Sequence, residues 1–368
     1  VTSGIATVFS QIWRRLPAET TWVLAPRLPG FGAVDKSFPT PVKRVWLPVG
    51  ESGLSKILKT KLTLAWCLWF TFTLRPARIH CGQVFSSGIV GWILSSLFNV
   101  PYTVWVYGSE TVRLGAGGLS RRLMTEILSR ADRIVTNSNA TSEEFRQFGV
   151  PDAKLLRIYP GVDSTLFVPR QRDPEFVSRF ALLGKRVLLT VARLDQRKGH
   201  DTVLRALRRL PDDVVYLIAG AGREEHQLRI LATKAGVEKR VHFLGFVPDA
   251  DLPKVYNLCD IFVMPNRTTK STALEGDIEG FGITFIEAGA CGKPVVGGKS
   301  GGAVEAVLDG ETGILVEHPA DANEVEVAIR TLLDDEDLRS RMGTLARQRA
   351  VREFDWDKIA RSLEPFLV

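Results

Sequence analysis

Short apolar runs, each followed by a turn and then by a helical stripe, recur along the second half of the chain. Residues 187–191 read as a buried strand, which enters a basic turn, after which Val203, Leu204, Leu207 and Leu210 mark one face of a helix opening near Asp201. Further strands are expected at 214–219, 241–244, 261–264, 294–297 and 313–316. Strands and helices alternating in this way predict an α/β fold with a parallel sheet covered on both faces. The first half repeats the pattern less cleanly, with strands expected at 21–25, 44–47, 78–81, 102–106, 133–136 and 155–158. Between the halves, Tyr159-Pro160-Gly161-Val162-Asp163 forms a proline and glycine turn and a polar segment follows at 170–174, which places a hinge there. Two doubly wound sheets facing each other leave a cleft at the carboxyl ends of their strands, where such domains bind ligands.

One segment departs from this pattern. Residues 54–74 are apolar most of the way round, with Lys56, Lys59 and Lys61 ahead of Trp66, Trp69, Phe70 and Phe72. The uncharged part is shorter than the roughly 18 residues of a spanning helix. A helix buried on the first sheet is the first expectation, and a basic, tryptophan-rich helix resting in a membrane interface is the second.

At 368 residues the chain has room for two domains, and 45% hydrophobic with 24% charged residues is ordinary for a globular protein. The net charge of +7 is scattered, and no groove-reading or single-strand motif accompanies it, so nucleic acid is not an expected partner. The charge suits anionic ligands or an anionic membrane surface. Cys67, Cys81, Cys259 and Cys291 lack paired spacing and read as reduced thiols of a cytoplasmic protein. The five histidines are too dispersed for a metal site.

The chemistry concentrates in two places. Arg193-Leu194-Asp195-Gln196-Arg197-Lys198-Gly199 lies between a strand and a helix N-terminus, an anion site in which Arg193 can grip two phosphate oxygens and Lys198 can act as a point charge. Glu279 and Glu287 stand eight apart, with Gly280, Phe281, Gly282 and Ile283 forming a glycine-rich entry into a helix whose N–H groups favour a diphosphate. The first carboxylate can accept hydrogen bonds from sugar hydroxyls and the second from the two hydroxyls of a ribose.

This pair resembles the E-x7-E motif of the family-4 retaining glycosyltransferases, which have the GT-B fold of two Rossmann-like domains. The Arg-x4-Lys spacing of Arg193 and Lys198 is similar too, and so are blocks at 241–248, 258–265, 289–296 and 301–313. The resemblance implies an N-terminal acceptor-side domain at 1–165, a C-terminal nucleotide-sugar domain at 166–353 and a helix at 354–368 that crosses back to the first domain. It implies that Arg193 and Lys198 hold the diphosphate, Glu279 the sugar, Glu287 the ribose, the entry at Phe281, Gly282 and Ile283 the phosphates, and the backbone near Val247 the base. No metal or other cofactor is implied; the donor is a nucleotide sugar. The wording of 277–283 and 159–163 is most similar to mannosyltransferases that act on inositol phospholipids. GDP-mannose is therefore the expected donor and a glycan, glycolipid or phospholipid the acceptor. A UDP-sugar transferase of the same fold and a non-catalytic sugar-nucleotide binder are the alternatives.

Other features weigh against alternative readings or strain this one. Gly220-Ala221-Gly222 lacks a third glycine for a dinucleotide fingerprint, because position 225 is Glu. Asp277-Ile278-Glu279 mimics a metal-binding acidic triplet, but Glu279 is already assigned to the sugar. Where the family has His-Gly-x-Glu, this chain has Tyr107-Gly108-Ser109-Glu110, so Tyr107 can donate a hydrogen bond to the sugar but cannot replace imidazole as a base at neutral pH. Thr2-Ser3-Gly4-Ile5-Ala6-Thr7 is similar to the end of the phosphate-side loop, with only Gly4 left of its glycine pair and the strand that opens the family's first domain absent before it. The first methionine is Met124. A strand-encoding segment upstream is therefore expected.

Overall fold

In a computed structural model of the protein, residues 4–27, 31–36, 38–48, 53–108, 118–269 and 278–366 are described. The chain forms two compact units, Pro160–Asp355 and Thr2–Tyr159 with Trp356–Val368.

In the N-terminal unit β1 (Val23–Pro26) pairs in parallel with β2 (Val42–Val45). A second parallel sheet, in order β3-β4-β5-β6, comprises β3 (Ile79–Cys81), β4 (Tyr102–Val106), β5 (Arg133–Thr136) and β6 (Leu155–Arg157). Each strand falls within two residues of its expected place. Their apolar runs carry β-branched and aromatic side chains, as suits strands covered on both faces. Every residue of β4 is buried, and Tyr102 and Val104 pack with Met124, Ile127 and Phe145 in the core of this unit. The Trp356–Leu363 helix belongs here and buries Trp356, Ile359, Ala360 and Leu363, a stripe at i, i+3, i+4 and i+7. An ion pair from Arg15 to Asp357 ties it to the Gly4–Trp13 helix region.

The helix at 54–74 forms as Gly53–Leu74 and packs on the Ser87–Phe98 helix, but it is not the buried helix first expected. Trp66, Trp69 and Phe72 are 40%, 62% and 72% exposed, and Leu54, Ile57 and Leu58 are exposed as well. Its main packing partner among the described residues is that helix, and much of the remaining apolar surface faces outward. No helix among the described residues is long and apolar enough to cross a membrane.

The C-terminal unit holds a six-stranded parallel sheet in order β12-β11-β10-β7-β8-β9. Its strands are β7 (Arg186–Val191), β8 (Val214–Ala219), β9 (Val241–Gly245), β10 (Ile261–Met264), β11 (Val295–Gly298) and β12 (Gly313–Val316), all within two residues of expectation. Val203, Leu204 and Leu207 of the His200–Leu207 helix and Val325, Ile329 and Leu332 of the Ala322–Asp334 helix cover Leu188, Tyr216, Ile218 and Val263 of the sheet. The order reverses between β7 and β10. That reversal is the switch point at which an open doubly wound sheet binds ligands, outside the carboxyl ends of the strands. The loops leaving β7 and β10 carry the two motifs singled out above.

Candidate active site

The chain leaves β7 through a tight turn. Asp195 caps a short 3-10 turn, Gln196–Lys198, and Gly199 (φ 75°) opens the His200–Leu207 helix. A Cβ at Gly199 would stand 2.2 Å from the Pro265 carbonyl oxygen, so only glycine lets the loop after β7 lie against the loop after β10. His200 fixes this turn from below. Its Nδ1 lies 3.2 Å from the Tyr216 hydroxyl and its Nε2 3.2 Å from the Arg193 carbonyl oxygen. Burial pulls His200 down to about 4, so the ring is neutral and serves as a structural link.

At the β10 side Glu279 is buried, and its carboxylate carries two cations. Lys198 Nζ donates to Glu279 Oε2 at 2.5 Å and Arg197 Nη1 to the same oxygen at 2.9 Å. Arg197 Nη1 also donates to the Ile278 carbonyl at 3.0 Å. Burial raises the Glu279 carboxyl, but the charges of Lys198 and then Arg197 outweigh it and hold the group below its ordinary value. Glu279 is therefore ionised at neutral pH. The turn after β11 backs it, with Gly302 N donating to the Glu279 carbonyl at 2.8 Å. Asn266, fully buried, joins the same turn to the end of β10: its Nδ2 donates to Ser300 O at 2.9 Å and its Oδ1 accepts from Gly298 N at 3.2 Å.

Gly282 (φ 90°) is the N-cap of the Ile283–Ala290 helix, and no side chain caps it. Phe281 is buried against Phe354, which fixes the approach to the helix. One turn in, Glu287 Oε2 accepts from the Tyr256 hydroxyl at 2.6 Å. Burial lifts Glu287 to about 7, against the Tyr256 hydrogen bond and with a further rise from Asp249.

Lys198 and Glu279, predicted separately from the sequence, are thus in direct contact, and Phe281, Gly282, Ile283 and Glu287 line the helix entry beside them. Arg193 shares the loop of Lys198 but is 61% exposed and meets Asp195 at 3.7 Å. Val247 lies in the loop after β9. Tyr107 follows β4 in the other unit, where its carbonyl accepts from Asn137 Nδ2 at 3.5 Å, and Gly4 begins the Gly4–Trp13 helix there. Ser109, Glu110 and Asp277 lie outside the described residues. Sequence reasoning passed over Arg197 and Tyr256. The only signal for Arg197 was its place next to Lys198, since two adjacent cations entering a fold call for a carboxylate between them.

The family description "Glycosyl transferases group 1" matches residues 172–349, and "Glycosyl transferase 4-like domain" matches residues 3–161. The chain belongs to the group 1 glycosyltransferases. Among the relatives of the chain is a GDP-mannose-dependent alpha-(1-6)-phosphatidylinositol monomannoside mannosyltransferase of Mycolicibacterium smegmatis, 36% identical over 65% of this chain and 62% of the relative. A D-inositol 3-phosphate glycosyltransferase of Corynebacterium diphtheriae is 33% identical over 76% of this chain and 67% of the relative. The chain thus spans less than two thirds of the length of the mycobacterial mannosyltransferase. Among solved structures, HepE of Anabaena, in complex with UDP and glucose, is similar with a TM-score of 0.83 and 23% identity over 100% of this chain and 96% of HepE. WaaG, a glycosyltransferase involved in lipopolysaccharide biosynthesis, is similar with a TM-score of 0.72 and 17% identity over 100% of this chain and 97% of WaaG. At these identities the likeness establishes the GT-B fold.

Proposed function

We propose that this glycosyltransferase moves mannose from GDP-mannose to a lipid-linked or glycan acceptor, with an inositol phospholipid as the leading acceptor class and with retention of configuration. The observation that carries the reading is the ionised, buried Glu279 held by Lys198 and Arg197 at the sheet's switch point, ahead of a helix that carries Glu287 one turn in. The name of the mycobacterial relative supplies the donor and the acceptor class.

In this reading Arg193 and Lys198 meet the donor diphosphate together with the N–H groups at the entry to the Ile283–Ala290 helix, and their charge stabilises the nucleoside diphosphate as it departs. Glu279 accepts from sugar hydroxyls and Glu287 from the ribose. The bond from the anomeric carbon to the diphosphate breaks as the acceptor oxygen attacks on the same face, and the departing phosphate oxygen takes the acceptor's proton. No side-chain base is required, which accommodates Tyr107 where the family has histidine. Tyr107 is assigned a hydrogen bond to the donor sugar, Gly4 a place beside the phosphates and Val247 a backbone contact to the base.

The exposed strip of Trp66, Trp69 and Phe72, with Lys61 exposed on the same helix, supports peripheral contact with an anionic membrane at its cytoplasmic face. A panel of sugar nucleotides, scored for binding and slow hydrolysis with and without EDTA, tests the reading. GDP-mannose should lead the panel, and hydrolysis should persist in EDTA because cationic side chains take the metal's part. Preference for a UDP-sugar would replace the donor assignment, and binding without hydrolysis or transfer would favour a non-catalytic binder.

A further inference from the structure

Lys198 carries a single charge, and the proposed reaction directs it to a second anion. Its ammonium is bound to Glu279, and both side chains are nearly closed to solvent, 11% and 9% exposed. The proposed reaction needs that ammonium on the donor diphosphate. Were Lys198 the sole partner of Glu279, its departure would leave a buried carboxylate without a counter-charge, which such a group avoids by taking up a proton. Arg197 is the second partner. Its guanidinium is itself buried, 9% exposed, and holds both Glu279 Oε2 and the Ile278 carbonyl. The Arg197 backbone is fixed in turn, since Asp195 accepts from its N–H and Arg267 N donates to its carbonyl at 2.9 Å.

We infer that Arg197 is a positioning residue that keeps the Glu279 carboxylate ionised and in place while Lys198 transfers from Glu279 to the donor diphosphate. The inference rests on the donor-binding reading above. The geometry divides the work between two neighbouring cations. Arg197 Nη1 donates to both the carboxylate oxygen and the carbonyl, which anchors the loop, whereas lysine's flexible stem with a compact charge suits the cation that moves. Around Glu279 the described charged groups are Arg193, Arg197 and Lys198 from the loop after β7, with Asp195 beside Lys198; from the turn after β11 it meets main chain. Removing the Arg197 charge leaves burial to prevail once Lys198 has moved.

The test compares wild type with Arg197→Gln, which keeps a donor for the Ile278 carbonyl but loses the charge, and with Arg197→Lys, which keeps a charge. GDP-mannose is titrated into each by calorimetry in two buffers of different ionisation enthalpy, which counts the protons taken up on binding, and donor hydrolysis is followed from pH 5.5 to 9. Wild type should bind with no proton uptake at Glu279, leaving only the protons that Glu287 releases. Relative to wild type at the same pH, Arg197→Gln should take up close to one proton more, lose at least about tenfold in kcat, and show the acid limb of kcat/KM at higher pH; Arg197→Lys should restore the wild-type proton count and part of kcat. If Arg197→Gln binds with the wild-type proton count and keeps the wild-type acid limb, the inference is overturned, whatever happens to its melting temperature. A wild-type chain that hydrolyses the donor while both variants match it leaves the donor reading standing and removes Arg197 from it. A folded wild type that binds no nucleotide sugar overturns both.

Discussion

The pH dependence of donor affinity follows from Glu287. Its carboxyl titrates at about 7 because it is buried. Taking that midpoint, roughly a tenth of the group is ionised at pH 6 and roughly nine tenths at pH 8. If the carboxylate is the form that accepts both ribose hydroxyls, affinity for a nucleotide sugar should rise about tenfold over that range. A nucleotide sugar is the right ligand, because its diphosphate has no proton to lose there, unlike a free nucleoside diphosphate. Tyr256→Phe removes a hydrogen bond that holds the carboxyl down. A bond of that type to a charged group is worth about 1.5–3 kcal/mol, and 1.36 kcal/mol corresponds to one pH unit, so the midpoint should move up by about one unit or more. Glu287→Gln should bind more weakly and show no rise. The same group makes a stability prediction. A carboxyl whose folded value lies above its unfolded value contributes stability that is fully present below about pH 4.5 and is lost as pH rises through about 7. Relative to Glu287→Gln, wild type should therefore lose up to about 3 kcal/mol between pH 4.5 and 8. Calorimetric titration at pH 6, 7 and 8 measures the first effect and denaturant unfolding the second. A flat wild-type affinity, or a Tyr256→Phe midpoint at or below that of wild type, would refute the assignment.

Lys198→Ala and Arg193→Ala should each lower turnover at least about tenfold, since a charge-assisted contact to a developing anion is worth about 2–4 kcal/mol; unchanged turnover in both removes the phosphate role. Because Lys198 also meets Glu279, its replacement should lower the melting temperature as well, whereas that of exposed Arg193 should not. Replacing Trp66 and Trp69 by Ser should abolish flotation with anionic vesicles while leaving the circular dichroism spectrum intact, and salt should release the wild type; global unfolding would instead assign these rings to packing. Gly282→Ala should destabilise the protein by about 1–3 kcal/mol in urea and weaken the donor, because φ is 90° and a Cβ would sit 2.4 Å from the Phe285 ring.

The strands were legible because a strand covered on both faces reads as a near-continuous apolar run, and each such run here ends at a glycine, proline or polar turn. Glu279, Glu287 and Lys198 were legible for a different reason. They sit at fixed offsets from a helix entry, and local spacing alone places them there. Arg197 was not, because what buries it is a carboxylate 82 positions away, and no periodicity links the two. Tyr256 lies on a stripe that apolar packing already explains, so its hydroxyl bond to Glu287, 31 positions on, has no trace in the pattern. The outward face of the Gly53–Leu74 helix was hidden by its own composition. A helix apolar all round does not announce which side its neighbours leave uncovered.

The Trp356–Leu363 helix also bears on how the protein is made. It completes the packing of a unit whose other residues, up to Tyr159, leave the ribosome first, while all of Pro160–Asp355 is synthesised in between. At about 5–20 residues per second that interval is about 10–40 s. During it the N-terminal unit lacks the stripe of Trp356, Ile359, Ala360 and Leu363 that it will bury, whereas the C-terminal unit has its whole sheet as soon as β12 and the helices after it have emerged. The half translated first is therefore the half finished last, and its exposed apolar surface is the stretch of the nascent chain that a chaperone would shield.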